Sequence, residues 1–166
     1  MIKILADIDV NTVLSGYNKL ASAIKWTDYG FHGKQTGLQY RENKDPWSDA
    51  VGRRGPDAWP DVNFLNPAFK DTIFEEIIIQ YNLIRTRLMW VPPYACYSMH
   101  KDDSPRIHVP LITNPDCYFV FKDLAPVHLT IGQVHWVDTT KAHTFMNCSN
   151  LPRLHLVGQT KFTEIS

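Results

Sequence analysis

Two histidines and one aspartate are the side chains of this sequence best suited to share one chemical task. His100 and Asp102 are separated by a single residue, and His143 follows about forty residues later. Because residues i and i+2 of a strand point to the same face, the spacing predicts a strand from which His100 and Asp102 reach one ion. His143 is expected on a distant strand folded back beside them. Two imidazoles and one carboxylate on one face of a metal ion are typical of non-haem Fe(II) oxygenase sites.

An arginine near the third histidine extends this pattern. Arg153 lies ten residues after His143, and its guanidinium is a fork that fits a carboxylate. We expect it to hold a carboxylate cosubstrate; the alternative is a surface arginine after a Leu-Pro turn. Asp103 competes with Asp102 as the metal ligand. Strand alternation favours Asp102, with Asp103 pointing away and capping the Ser-Pro turn that follows.

The remaining histidines invite a structural interpretation. Six of the seven histidines lie between residues 100 and 155, which supports a site but does not require every member. A single histidine on a strand is more often a hydrogen-bonded core residue than a metal ligand. We therefore expect His128, His135 and His155 to be structural. His32, in the loop-rich segment, is open between a structural and a solvated position.

The composition sets the broad class of the protein. A chain of 166 residues suits one domain with a core, and 44% hydrophobic with 20% charged residues describes a globular protein. A net charge of zero lacks the basic excess of nucleic-acid-binding proteins. No signal-peptide pattern and no membrane-length apolar run are present, so we expect a cytoplasmic protein without a membrane segment. The cysteines are expected to be reduced thiols: Cys96, Cys117 and Cys148.

Helical periodicity is confined to the first half of the chain. Residues 9–25 carry apolar side chains at helical spacing, with Asp9 as the expected cap. Asn66-Pro67 predicts the start of a second helix that runs to about Tyr81. We therefore expect two helices before the strand-rich half begins.

The segment 28–63 is rich in Gly, Pro, Asp and Asn, which is typical of a functional loop region. It is a candidate lid over the site, and scaffold packing is the alternative. A short strand is expected at Thr36–Tyr40. Aromatic residues punctuate the segment: Tyr29, Phe31, Tyr40, Trp47 and Trp59.

From Leu83 onward the sequence alternates between short strand candidates and turn signals. Many short strands at regular spacing indicate a sandwich or barrel. We expect one domain, 1–166, in which 1–82 is a helical and loop-rich support and 83–160 is the catalytic core. The strand candidates are 83–91, 97–101, 107–113, 117–121, 127–129, 134–138, 143–147 and 154–159.

The same half of the chain, roughly residues 83 to 160, resembles the aspartyl/asparaginyl β-hydroxylase family. This resemblance implies a 2-oxoglutarate- and Fe(II)-dependent dioxygenase. It also implies a mainly β fold, a double-stranded β-helix (a cupin-like jelly roll) with the N-terminal helices packed outside. The segments that carry the resemblance are Met99–Asp102, Arg106–Leu111, Asn114–Phe119, Val134–Thr140, Ala142–Thr144, Asn147 and Pro152–Leu156.

The resemblance also implies roles for individual residues. His100, Asp102 and His143 would bind Fe(II), and Arg153 would pair with the distal carboxylate of 2-oxoglutarate. Well-known family members carry glycine where this chain has Asp102, so the three-ligand set is a departure. An Arg-x-His pair that lines the cosubstrate pocket corresponds to the residues Arg106 and His108.

Arg106 and His108 share a strand face, and their structural alternative is an ion pair with Asp116 or Asp138. In the implied reaction, O2 and 2-oxoglutarate give succinate and CO2 while a C–H bond is hydroxylated. The substrate class stays open among an amino acid, a peptidyl residue and a small metabolite, and the oligomeric state is open as well. A non-catalytic cupin-like binding protein and a zinc-dependent hydrolase or isomerase are the alternatives. Arg153 discriminates among them, because only the oxygenase needs a carboxylate anchor there.

Overall fold

The computed structural model describes residues 1–52 and 61–160. Within these ranges lie two α-helices, α1 (Val10–Leu20) and α2 (Ile73–Gln80), and two 3-10 turns, Gly30–His32 and Pro67–Phe69. Trp59 of the candidate lid lies outside the described residues. The strands are β1 (Ile2–Asp7), β2 (Thr27–Asp28), β3 (Lys34–Gly37), β4 (Gln39–Tyr40), β5 (Phe64–Leu65), β6 (Leu83–Val91), β7 (Ala95–Cys96), β8 (Arg106–Ile112), β9 (Cys117–Phe121), β10 (Gln133–Val137), β11 (His143–Asn147) and β12 (Arg153–Thr160).

Two antiparallel sheets face each other. The larger sheet has the order β1-β10-β8-β12-β6-β3-β2, and the smaller has the order β7-β11-β9. Strands far apart in sequence are neighbours in both sheets. In the larger sheet β12 lies between β6 and β8, and in the smaller sheet β11 lies between β7 and β9. This crossed order is that of a jelly roll. The predicted bounds of β6, β9 and β11 are confirmed.

Alternation along β12 gives the larger sheet two different faces. Leu154 and Leu156 are fully buried in an apolar cluster that includes residues of both helices. We call this helix-covered side the outer face. Arg153 and His155 point the opposite way, toward the smaller sheet, and we call that side the inner face. The expectation that the helices pack outside the β core is met, because α1 and α2 cover only the outer face.

Both helices differ in length from the prediction. Asp9 caps α1 by accepting a hydrogen bond from the amide of Asn11 at 3.0 Å, but the helix ends at Leu20 rather than near residue 25. The predicted helix from Pro67 is split in two. Its first turn is a 3-10 turn, and Asp71 then takes a positive φ of 58° that a continuous helix does not allow. The chain becomes helical again at Ile73.

Two predicted strands were wrong, and four strands of the described residues were not predicted: β1, β2, β5 and β7. The segment 97–101 contributes only an isolated bridge at His100, and the segment 127–129 contributes only one at Val127. Strand β1, which the sequence did not predict, pairs with β10 at the edge of the larger sheet. No helix among the described residues is long and apolar enough to cross a membrane.

Two described parts of the candidate lid segment, β3–β4 and Trp47, pack as scaffold. The expected strand at Thr36–Tyr40 is two strands, β3 and β4, and β3 extends the larger sheet by pairing with β6. The Trp47 ring packs on Phe69 with centroids 5.9 Å apart. Residues 53–60 of the segment lie outside the described residues.

Candidate active site

The two histidines of the predicted triad meet through backbone pairing. His100 and His143 form an isolated antiparallel bridge, with N–H to C=O distances of 2.9 and 2.8 Å. Asp102 lies in the loop that follows, where its amide donates to the carbonyl of Thr139 at 2.8 Å. The prediction that His100 and Asp102 share the face of one strand was wrong. A cross-strand bridge and a tethered loop bring them together instead.

The three side chains form a group that could hold a metal ion. One ligand atom from each of His100, Asp102 and His143 lies within 4.8 Å of the others. The His100 Nε2 is 4.0 Å from the Asp102 Oδ1, and the two imidazole centroids are 4.4 Å apart. The three ligand atoms are therefore close enough together to surround a single ion.

Backbone carbonyls orient both imidazoles. The His100 Nδ1 is 2.7 Å from the carbonyl oxygen of Ser98, and the His143 Nδ1 is 2.9 Å from that of Lys141. A carbonyl only accepts, so each Nδ1 carries the proton and each Nε2 keeps its lone pair. Burial lowers the pKa of His143, which favours the neutral imidazole that a metal requires. This arrangement of a ring N–H held by an outer acceptor is typical of metal-ligating histidines.

Arg106 holds the carboxylates of the HxDD segment rather than the expected acids. Its Nε is 3.3 Å from the Asp102 Oδ2, and its Nη2 is 3.0 Å from the Asp103 Oδ1. Arg106 therefore forms ion pairs, as the structural alternative expected, but with Asp102 and Asp103 rather than with Asp116 or Asp138. With Oδ2 engaged by the arginine, the Oδ1 of Asp102 is left to face His100.

Asp103 does not cap the Ser-Pro turn as predicted. It accepts hydrogen bonds at 3.0 Å from Arg106 and from the Nε2 of Gln159 on β12. Asp103 and Gln159 thus anchor the loop that carries Asp102 to the larger sheet. Strand alternation could not reveal this role of Gln159, because the contact spans 56 positions of the chain.

The inner face beyond the triad is lined by aromatic rings and neutral imidazoles. Phe119 stacks on His143 with centroids 5.1 Å apart and meets the edge of His108 at 5.5 Å. Burial, followed by the nearby charge of Arg153, holds the pKa of His108 well below its ordinary value. The His108 Nδ1 is buried without a hydrogen-bond partner among the described residues.

Arg153 lies on this inner face, and its alternative as a surface residue was wrong. Only 3% of it is exposed, and its guanidinium carbon lies 3.5 Å from the ring centroid of Phe145. Its Nε and Nη2 contact the two ring nitrogens of His155 at 3.0 and 2.7 Å. A neutral imidazole has one acceptor nitrogen, so only one of these contacts is a full hydrogen bond.

No carboxylate of residues 1–52 or 61–160 lies within ion-pair distance of Arg153. Burial lowers its pKa to about 9, which still leaves a cation at neutral pH. A buried arginine without an anion is unfavourable by itself. The arrangement therefore suits an anionic ligand.

A narrow crevice lies against Arg153 and ends at the rings beside the triad. Phe119, Phe145 and Cys117 line it together with Arg153 and His155. In this conformation the crevice is too tight for a water molecule. A ligand there would require Arg153 to move away from His155.

Two of the histidines that we expected to be structural have partners in the protein. His155 contacts Arg153 directly, and His128 bonds the carbonyl of Cys117 at 3.0 Å.

Neither a family model nor a curated protein matches this chain. Its structure is similar to that of a prolyl-4-hydroxylase from Pseudomonas putida, with a TM-score of 0.52 and 12% identity. That similarity covers 96% of this chain and 91% of the hydroxylase. It establishes the fold. The predicted mainly β, jelly-roll architecture is confirmed, whereas the resemblance to aspartyl/asparaginyl β-hydroxylases stays a prediction.

Two further structures are less similar. The DMSP lyase DddQ from Ruegeria pomeroyi has a TM-score of 0.40 and 17% identity over 49% of this chain. The Rhodobacter sphaeroides SigE in complex with the anti-sigma ChrR gives 0.45 and 12% identity over 86% of it. The chain spans only 40% and 54% of the lengths of these two proteins. They add nothing on function.

Proposed function

We propose that this protein is a 2-oxoglutarate- and Fe(II)-dependent dioxygenase that hydroxylates a C–H bond, related to the aspartyl/asparaginyl β-hydroxylases. One observation carries the proposal. A His-Asp-His group with both Nδ1 atoms held by carbonyls belongs to the same β-sandwich as a buried arginine that has no carboxylate partner among the described residues. The substrate would be an amino acid, a peptidyl residue or a small metabolite. We infer a cytoplasmic location, which suits the three free thiols.

The donor set fits Fe(II). His100, Asp102 and His143 offer two imidazole nitrogens and one carboxylate oxygen, the ligand types of the facial triad. Both imidazoles are fixed in the ligating tautomer by carbonyls, and Arg106 fixes the second oxygen of Asp102. Outer contacts of this kind orient ligands before the metal binds.

The inner face also fits the cosubstrate. Arg153 would receive the distal carboxylate of 2-oxoglutarate, since its planar fork matches that group and its burial excludes competing water. His108, with its unpartnered Nδ1, would line the same pocket. His155 would release Arg153 when the carboxylate binds. Arg106 would support the carboxylate of Asp102, with which it forms an ion pair.

The protein residues position the reactants and keep the site dry. Phe119 and Phe145 close the crevice against water, which protects the chain from uncontrolled oxidation. When bound, Fe(II) and 2-oxoglutarate supply the chemistry: O2 is reduced, 2-oxoglutarate becomes succinate and CO2, and the substrate C–H bond gains a hydroxyl group. Arg153 favours a 2-oxoglutarate-dependent dioxygenase over a zinc hydrolase, because a hydrolase needs no residue that anchors a cosubstrate carboxylate.

Succinate formation tests the proposal. Purified protein with Fe(II), ascorbate, O2 and 2-oxoglutarate is expected to form succinate slowly even without a substrate. The His143→Ala variant is expected to lose this activity by more than about a hundredfold, because even changes outside the ligand set cost ten- to a hundredfold. Metal content, measured by mass spectrometry, should fall in parallel.

His128→Ala is the matched control for a histidine outside the triad. His128 is partly buried, and its hydrogen bond among the described residues goes to the carbonyl of Cys117 rather than to a member of the triad. This variant should therefore retain both iron and activity. Succinate formation by the His143 variant at the wild-type rate would contradict the ligand assignment. Tight zinc binding without succinate would support a hydrolase, and metal binding without any turnover would support a binding protein.

A further inference from the structure

Arg87 shares the inner face with the groups described above. Val157 of β12 pairs with Arg87 of β6 on one side and with His108 of β8 on the other. His108 in turn pairs with His135 of β10. Directly paired residues of neighbouring strands project to the same face of a sheet. Arg87 therefore continues the row of His108 and His135 across the inner face.

The contacts of Arg87 leave its charge without an anion. Its Nη1 donates to the carbonyl of Ala50 at 3.3 Å, and its Nε lies 3.4 Å from the sulfur of Met89. Within the described part of the chain, no carboxylate lies within ion-pair distance of it. Arg106, by comparison, contacts two aspartates, and Arg41 contacts Asp49 at 2.7 Å.

Arg87 remains a cation close to the candidate metal site. Burial, followed by the charge of Arg106, lowers its pKa to about 10, while Asp102 and Tyr97 raise it. At neutral pH the guanidinium is therefore protonated. Arg106, which contacts Asp102, pairs with Gln159, two residues beyond Val157 on β12. Along the sheet, Arg87 therefore lies closer than Arg153 to the level of Asp102.

Arg87 and Arg153 leave the sheet at different levels. Arg153 pairs with Val91 at the start of β12, and Arg87 pairs with Val157 four residues further along the same strand. Four residues of a strand span roughly 13 Å. If Arg153 holds the distal carboxylate of 2-oxoglutarate, Arg87 is available to a second anionic group that lies nearer the metal ligands.

We propose that Arg87 binds a carboxylate group of the substrate and so determines which substrates are hydroxylated. This inference rests on the proposed function, because it assigns the cosubstrate carboxylate to Arg153. The guanidinium fork is suited to a carboxylate, and a partly buried position strengthens that interaction over the same contact in water. The carboxylate belongs either to a small free acid or to an acidic side chain of a peptide.

A binding experiment tests the inference without turnover. The protein is loaded with Zn(II), which does not support oxidation, and saturated with 2-oxoglutarate so that Arg153 is occupied. Ligand-observed NMR then measures the free amino acids and C3 to C6 carboxylic acids against their carboxamides. A second arm compares acetyl-aspartyl and acetyl-glutamyl amides with the corresponding asparaginyl and glutaminyl amides. At least one acid should bind roughly ten- to a hundredfold more tightly than its carboxamide.

Arg87→Gln should abolish this preference for the acid, and Arg87→Lys should retain part of it, because lysine keeps the charge but loses the fork. The lysine variant also serves if the glutamine variant does not fold. Lys70→Gln is the charge-matched control, since Lys70 is exposed beside the helices, and it should bind as the wild type does. Preference in the free-acid arm identifies a small molecule, and preference only in the peptide arm identifies an acidic residue.

The inference is overturned by equal binding of acids and carboxamides, by an intact preference in Arg87→Gln, or by no binding of any acid. A weakening of 2-oxoglutarate binding in Arg87→Gln as large as in Arg153→Gln would also overturn it, because Arg87 would then serve the cosubstrate. Loss of the proposed function shows itself separately, as the absence of succinate from the Fe(II)-loaded wild type.

Discussion

The two faces of the larger sheet are built from the same strands and have opposite properties. On β12, Leu154 and Leu156 pack into the apolar cluster under the helices, while Arg153 and His155 between and beside them are buried against the smaller sheet. Burying apolar side chains stabilises the fold. Burying an arginine that no acid neutralises destabilises it. The outer face therefore stabilises the fold, and the inner face retains a buried cation that an anionic ligand would neutralise.

The largest expected effect on stability concerns the outer face. Leu156→Ala removes a fully buried side chain from the cluster between sheet and helices. We expect the free energy of unfolding to fall by about 2–5 kcal/mol, because apolar contacts are lost and a cavity remains. Urea denaturation followed by circular dichroism measures this change.

A matched pair of valines sharpens the comparison of the faces. Val109 lies in the outer cluster, and Val157 lies on the inner face outside every apolar cluster of the described residues; both are buried. Val109→Ala should therefore destabilise the protein more than Val157→Ala. Equal losses would mean that the two faces contribute alike to stability, and the comparison would fail.

The next prediction removes the buried charge of Arg153 from the inner face. Arg153→Met replaces the guanidinium with an apolar side chain of similar length beside Phe145. We expect the apparent KM for 2-oxoglutarate to rise by roughly ten- to a hundredfold, as expected for a lost charged hydrogen bond. The free energy of unfolding should stay unchanged or increase, since a desolvated cation is removed.

The pairing of these two measurements separates binding from structure. An unchanged KM would remove Arg153 from the cosubstrate site. A clear loss of stability would instead show that its contacts with His155 support the fold. Only loss of cosubstrate affinity without loss of stability agrees with the assignment made above.

The strands of the C-terminal half could be predicted because local pattern determines them. β6, β9 and β11 have the bounds that alternation and turn residues indicated. The split at Asp71 could not be predicted, because apolar periodicity continues across it and only the backbone conformation there ends the helix. Strand β1 was missed because it is an edge strand whose pairing with β10 depends on a partner more than 120 positions away.

The site shows the same limit. Residue types and spacing predicted that His100, Asp102 and His143 would come together, and the structure brings them together. The predicted cause, a strand face shared by His100 and Asp102, was wrong. A backbone bridge joins His100 to β11, and a hydrogen bond to Thr139 holds Asp102 beside it. The position of Arg87 beside His108 follows from cross-strand register, which no local pattern contains.

The smallest expected effect is a pH dependence of stability that originates on the inner face. Burial, and next the charge of Arg153, hold the pKa of His108 and of His155 well below the ordinary value of 6.5. Below pH 6.5 the unfolded chain therefore binds protons that the folded chain excludes. Stability is fully present above that pH and declines as pH falls, by up to about 1.4 kcal/mol per pH unit for each histidine.

Urea denaturation at pH 7.5, 6.5 and 5.5 measures this decline. All three values lie above the pH range in which carboxylates titrate, and EDTA ensures that no metal contributes. His155→Gln should make the slope between pH 6.5 and 5.5 shallower, because one excluded proton is removed. His32→Gln should leave it unchanged, since His32 is exposed in the folded protein. An identical slope in all three proteins would mean that the inner-face imidazoles accept protons without unfolding, and the face would then be open to water rather than dry.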